Sequence, residues 1–236
     1  HLKVIPGASP AAIEAALRVA SAVSLNVEVP HRAACAELSQ RKDFDRDIVA
    51  PLKLISRLTA PGERFAKVRQ TTQFIVGAAR ESDRDIVKAT FGLYRRLRLD
   101  RVYYSAYQAG GGDPALPGER ASALERGALL NREHRLYQVD FLLRKYRWDE
   151  TDIDFEADGN LSLAQDPKER WAERHPDFFP VRLRTADREA LLRVPGLGPT
   201  TVKRILDARR AGGLGSLGDL GLCGRRAEKV ARYVCA

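Results

Sequence analysis

The sequence predicts an α/β protein, with a parallel sheet of strand–helix repeats followed by a small all-α tail. Three observations carry this. Four short apolar strands alternate with helical stretches between Leu2 and Tyr107, the pattern of right-handed βαβ units. From Val181 onward that pattern stops, and helical stretches punctuated by glycine turns replace it. The charge divides at the same place: residues 181–236 hold 12 Lys/Arg against 5 Asp/Glu, or +7 of the net +9.

In chain order, His1–Ile5 reads as a strand closed by Pro6-Gly7. Ser9 is a good N-cap and Pro10 a good first helical residue, opening a helix to about Ala20. Residues 23–29 alternate as a strand, with Val23, Leu25, Val27 and Val29 on one face and Ser24, Asn26 and Glu28 on the other. A polar second face on a strand flanked by helices implies a lined cavity; an exposed edge strand is the alternative. Helices are expected over Arg32–Leu38 and Ile48–Leu58, and a third strand over Thr71–Gly77. Ser82 caps a long amphipathic helix, and Arg101–Tyr107 is the fourth strand. Ligands of parallel sheets sit beyond the carboxyl ends of the strands, which places Glu28, Gly77 and Tyr107 on a candidate ligand face. Gly110–Pro114 opens a loop, and Arg132–Tyr146 keeps the apolar stripe of a helix. Residues 149–180 read as an acidic linker with a short helix around Asp166–Arg174.

The tail centres on Leu191–Ile205, LLRVPGLGPTTVKRI. It reads as a helix capped by Thr185, a turn at Pro195–Pro199 and a second helix. Gly196 and Gly198 allow positive φ and close approach to their amides. Pro199 suits the first helical position, after which unpaired N–H groups and the positive helix end make an anion site. With Lys203 and Arg204 in the next turn, the stretch resembles the helix-hairpin-helix motif. That resemblance implies phosphate binding through Gly196, Gly198, Thr200, Thr201, Lys203 and Arg204, without base reading. An ordinary helix corner is the alternative. Leu217–Leu220 suggests another short helix, and Cys223-Gly224-Arg225 a degenerate second hairpin that serves packing.

Composition narrows the function classes. A 44% hydrophobic, 30% charged chain of 236 residues is expected to form real cores. No apolar run nears the roughly 20 residues of a membrane helix, and no signal segment opens the chain; a cytoplasmic location is expected. Cys35, Cys223 and Cys235 have no Cys-x-x-Cys spacing, so no zinc or iron–sulfur ligand set and no disulfide is expected. The start at His1 and the absence of methionine suggest a piece of a longer protein. Glu133, His134 and His175 are weak acid/base candidates, and no catalytic residue is assigned. The alternating acids Asp152, Asp154, Glu156 and Asp158 lack the spacing of a calcium loop and read as a solvated linker. Tyr103, Tyr104 and Tyr107 are either core or base-stacking residues.

Several stretches together resemble the DNA modification/repair radical S-adenosylmethionine protein family. They are SLNVEVP at Ser24–Pro30, QTTQFIVGAARESDRDI at Gln70–Ile86, RVYYSAYQ at Arg101–Gln108, REHRLYQVDFLLRKY at Arg132–Tyr146 and DPKERWAERHPDFFPV at Asp166–Val181. The resemblance implies a partial parallel barrel over 1–112, a helical extension and linker over 113–180, and a helix-hairpin-helix DNA-binding domain over 181–236. It also implies S-adenosylmethionine and a [4Fe–4S] cluster in the full-length parent, with Asn26, Glu28, Gly77 and Glu81 at the cofactor. The Cys-x-x-x-Cys-x-x-Cys cluster motif of that family is missing here, so this chain alone should be catalytically inert. DNA gripped by its backbone is the expected partner, and a non-enzymatic DNA-binding module with an α/β scaffold is the alternative.

Overall fold

The computed structural model describes residues 1–214 and 216–235. The chain packs as two compact units, 1–140 with 155–163, and 141–154 with 164–236. The residues expected to form an extension and linker are therefore shared between the two units.

The first unit is α/β. Its elements are β1 (Leu2–Lys3), α1 (Pro10–Val19), β2 (Ala22–Ser24), α2 (Arg32–Leu38), α3 (Ala50–Leu58), β3 (Arg69–Val76), α4 (Asp83–Leu97), β4 (Arg101–Ala106), α5 (Pro117–Arg120) and α6 (Ala123–Phe141). The four strands are all parallel and lie in sequence order, β1-β2-β3-β4. Helix starts follow local chemistry. Ser9 accepts from the Ala12 amide ahead of Pro10, and Ser82 forms a full capping box with Asp85. One buried layer of Val23, Leu25, Phe74, Val76, Val102 and Tyr104 sits beneath the helices with Ile13, Leu17, Leu52, Ile55 and Ile86.

The second strand is shorter than expected. The Thr72 hydroxyl intrudes on its ladder, donating to the Leu25 carbonyl at 2.7 Å and accepting from the Val27 amide at 3.0 Å. Glu28 then takes φ +65° and resumes pairing as a single bridge to Phe74. The alternation survives this break, since Val23, Leu25, Val27 and Val29 are all buried. The first strand likewise contracts to two residues, although Val4 still donates to Ser24. A wide-turned segment, Phe44–Val49, precedes α3, with Pro51 at the junction where no donor is needed. α6 begins at Ala123, nine residues before its expected start, and continues as a widened turn over Leu142–Tyr146.

Two features finish this unit. The outer edge of β4 is occupied by side chains: Val102, Tyr104 and Ala106 donate their amides to the Tyr94 hydroxyl, the Tyr137 hydroxyl and Glu133 Oε2 at 2.9, 3.1 and 2.7 Å. Glu133 is thus a structural acceptor. The 155–163 segment returns to the start of α4, where Asp83 is fully buried. Asp83 accepts from the Leu161 amide at 2.9 Å and from Arg132 Nε at 3.0 Å.

The second unit is mainly helical: α7 (Pro167–Arg174), β5 (Val181–Arg182), α8 (Arg188–Arg193), α9 (Pro199–Arg210), α10 (Gly224–Ala231) and β6 (Val234–Cys235). The two short strands pair in parallel, an addition to the all-α expectation. Leu191, Leu192, Val194, Leu197, Val202, Ile205, Leu222 and Val230 form its core. Asp187, not Thr185, caps α8, because its carboxylate accepts from the Ala190 amide at 2.7 Å. Leu217–Leu220 is a set of turns rather than a helix. Ser216 and Asp219 bond each other there, and Gly221 at φ +76° ends the turn. The acidic stretch is not simply solvated either: Asp152 pairs with Arg193 at 2.8 Å and Asp154 with Arg174 at 3.0 Å.

Candidate nucleic-acid interface

The turn between α8 and α9 is set by its apolar residues. Val194 and Leu197 are buried on either side of Pro195 and Gly196. Gly196 sits at φ +88°, and a Cβ there would meet Val230 Cγ2 at 2.8 Å, so both conformation and the closeness of α10 require glycine. Gly198 is different. It has ordinary extended geometry, φ −109°, as the N-cap of α9, and so does not use the positive φ open to it. Its missing Cβ leaves room instead, with the Tyr146 hydroxyl 3.4 Å from where that atom would stand.

Pro199 has no N–H, and the first helical bond runs from Val202 to the Gly198 carbonyl at 2.9 Å. The amides of Gly198, Thr200 and Thr201 have no acceptor among the described residues. Thr200 and Lys203 are exposed on this end of the helix. Thr201 is buried, and its hydroxyl accepts from Arg226 Nη2 at 3.0 Å. Arg204 is exposed but donates to the Leu220 carbonyl at 3.3 Å, so part of its guanidinium is already engaged. Four expected residues therefore gather at the helix start (Gly198, Thr200, Thr201 and Lys203), Gly196 shapes the turn, and Arg204 lies on the flank.

Sequence reasoning missed the residues behind the turn. Arg226, from α10, donates to the Gly196 carbonyl at 2.9 Å. Lys168, from α7, is 6% exposed and donates to the Leu197 carbonyl at 2.6 Å. Its ammonium lies 4.7 Å from the ring centre of Tyr146. Burial pulls the Lys168 ammonium down to about 7; Asp166 opposes this, while Arg226 and Arg193 add to it. Tyr146 is pushed up by its own burial. Nothing in the run Pro167-Lys168-Glu169-Arg170 marks its lysine as interior, because a lysine in a helix otherwise reads as solvated.

In the first unit, Asn26, Glu28 and Gly77 all lie at the carboxyl ends of β2 and β3. Asn26 is buried, with its amide 3.4 Å from Gln73 Oε1. Glu28 donates its backbone N–H to Gln73 and accepts from Ile75. Gly77 takes φ +80°, and its amide, with that of Ala79, donates to the Glu81 carboxylate at 2.6 and 3.0 Å. Glu81 thus closes its own turn, and burial raises its pKa against those two bonds. Tyr103 is half-exposed, Tyr104 is core, and the Tyr107 hydroxyl donates to Glu119. A [4Fe–4S] cluster does not fit this chain's thiols. Cys35 is buried in α2 of the first unit, Cys223 and Cys235 belong to the second, and no group of three His, Cys, Asp or Glu among the described residues could hold a metal ion.

No family model, curated protein or solved structure matches the chain.

Proposed function

We propose that the second unit is a helix-hairpin-helix module that grips a nucleic-acid backbone, DNA first, without reading its sequence. One observation carries the reading: a glycine-shaped turn delivers the amides of Gly198, Thr200 and Thr201, without acceptors among the described residues, to the start of a twelve-residue helix, with exposed Lys203 one turn on. A phosphate placed there would meet N–H donors and a positive helix end together. The basic tail supplies the long-range attraction, holding most of the chain's net charge.

The test is titration with duplexes of unrelated sequence at several salt concentrations. Affinities should be similar across sequences, and log K should fall linearly with log salt. Gly198→Val with Lys203→Glu should weaken binding roughly tenfold or more, since one change fills the approach and the other reverses a charge. Unchanged binding by a folded double variant sinks the assignment.

For the first unit the reading is the ligand-binding part of a radical S-adenosylmethionine protein acting on DNA. Four parallel strands in sequence order, with Asn26, Glu28 and Gly77 at their carboxyl ends, support a partial barrel. The cluster ligands would have to come from outside these residues, so the chemistry belongs to a longer parent. A scaffold without catalysis is the competing reading, favoured by the scattered thiols. Sequencing the gene ahead of His1 separates them: a Cys-x-x-x-Cys-x-x-Cys motif there, with 5′-deoxyadenosine formed by the anaerobically reconstituted full-length protein, supports the enzyme. A full-length gene without the motif removes it.

A further inference from the structure

We propose that Lys168 and Arg226 are positioning residues of the hairpin. From two different helices they hold two successive carbonyls of its turn, those of Gly196 and Leu197, on the side away from the Gly198 amide. This rests on the backbone-binding reading of the preceding section.

The geometry begins with the planar trans peptide, in which C=O and the next N–H point in opposite directions. Lys168 Nζ takes the Leu197 carbonyl at 2.6 Å, so the Gly198 N–H of the same peptide is aimed away from it. Arg226 Nε takes the Gly196 carbonyl at 2.9 Å, and its Nη2 reaches the Thr201 hydroxyl at 3.0 Å, tying the turn to the first turn of α9. Each bond is charge-assisted, and that of Lys168 is also buried, where such bonds are strongest. Removing Lys168 would leave the Leu197 carbonyl free to rotate its peptide, turning the Gly198 amide from the ligand. Removing Arg226 would instead untie the Gly196 carbonyl from Thr201 at the start of α9. Lys168, 6% exposed, is not placed to touch a phosphate itself, and Arg226, though exposed, has its Nε and Nη2 engaged by the turn.

The groups facing Lys168 set how it responds to pH. They are Asp166 at the start of α7, Arg193 at the end of α8, Arg226 on α10, and the ring of Tyr146. Arg193 is itself paired with Asp152, and Glu169 with Lys229. The Lys168 ammonium stands near 7, so its charge is present below neutrality and is lost as pH rises through that value. Duplex affinity should therefore fall as pH rises from about 6 to about 8.5.

The experiment uses the full chain, an unrelated-sequence duplex and fluorescence anisotropy. Lys168→Met should bind roughly tenfold more weakly at pH 6 with its salt slope unchanged, whereas Lys203→Gln should lose about one from the slope. Lys168→Arg should restore affinity and flatten the pH profile, because arginine keeps its charge throughout. That control also removes any contribution from His175, which both proteins share. An unaltered chain whose profile matches Lys168→Arg overturns the proposal, as does a folded Lys168→Met that binds like the original. If Lys168→Met does not fold, Arg226→Lys serves at pH 6: it keeps the charge but loses the bond pair to Gly196 and Thr201, and undiminished affinity overturns the proposal. If the Gly198/Lys203 double variant binds normally, the hairpin reading itself has failed. If that variant is weak while the Lys168 and Arg226 variants are normal, only the positioning roles fall.

Discussion

Two buried charges illustrate how much one side chain can decide. Asp83 is fully buried, and desolvation raises its pKa; Arg132 is the cation that opposes this, with its guanidinium 3.0 Å away. Arg132→Met removes the partner but not the burial. It should destabilise the first unit by about 3–5 kcal/mol, read from chemical denaturation, whereas breaking the exposed Arg18–Glu14 pair should change stability far less. Lys168 gives the converse case. Its folded pKa lies near 7, below the unfolded value near 10.5. Between those values the unfolded chain binds more protons, so stability should rise as pH climbs from 7 towards 10 and be lowest below 7. Thermal melts across that range check the sign, and Lys168→Met should remove the rise.

At the scale of the element, the outer strand of the sheet is finished by hydroxyls and a carboxylate rather than by backbone. The Tyr137 hydroxyl accepts from the Tyr104 amide and donates to its carbonyl at 3.0 Å. Tyr137→Phe should cost about 1–3 kcal/mol in urea denaturation, because it leaves a strand donor and acceptor without partners. Combined with Glu133→Ala it should also promote concentration-dependent association, detectable by light scattering, since an unblocked edge is a pairing site.

Sequence periodicity reached this level unevenly. Ser82 and Ser9 announced their helices because a cap is a local matter, decided by residues three apart. The contraction of β2 was invisible because the Thr72 hydroxyl comes from the neighbouring strand, 47 residues from Leu25. The early start of α6 was hidden by its weak stripe: Leu124 and Leu130 are exposed, so the first half of that helix carries no clean apolar face. In the hairpin, the glycines, proline and lysine were legible, being a contiguous pattern. Lys168, Tyr146 and Arg226 were not, since each arrives from a separate helix and does its work only after packing.

At the scale of the whole molecule, net charge is shared more evenly between the two units than architecture is, although the stretch after residue 180 is the most basic. The sheet unit carries 22 Lys/Arg against 18 Asp/Glu on a fold held by a dry layer of Val, Leu, Ile and Phe. The helical unit has a smaller core and 18 Lys/Arg against 13 Asp/Glu, twelve of those cations after residue 180, and three of its arginines are engaged within it. Arg209 donates to the Leu183 and Ala186 carbonyls, Arg193 lies 4.2 Å from the ring centre of Trp148, and Arg226 holds the turn. Net charge thus overstates what is free for a polyanion. A salt slope smaller than twelve cations would suggest is the expected outcome, with Lys203 among the residues that set it.

The pairing of β5 with β6 has a consequence for how the chain is made. Val181 and Arg182 can complete their ladder only when Val234 and Cys235 have been synthesised. The sheet of the first unit is assembled from neighbours in sequence order, so each new strand finds its place on one already present. During translation the sheet of the first unit can therefore grow strand by strand, while β5 gains its partner only once β6 has been made.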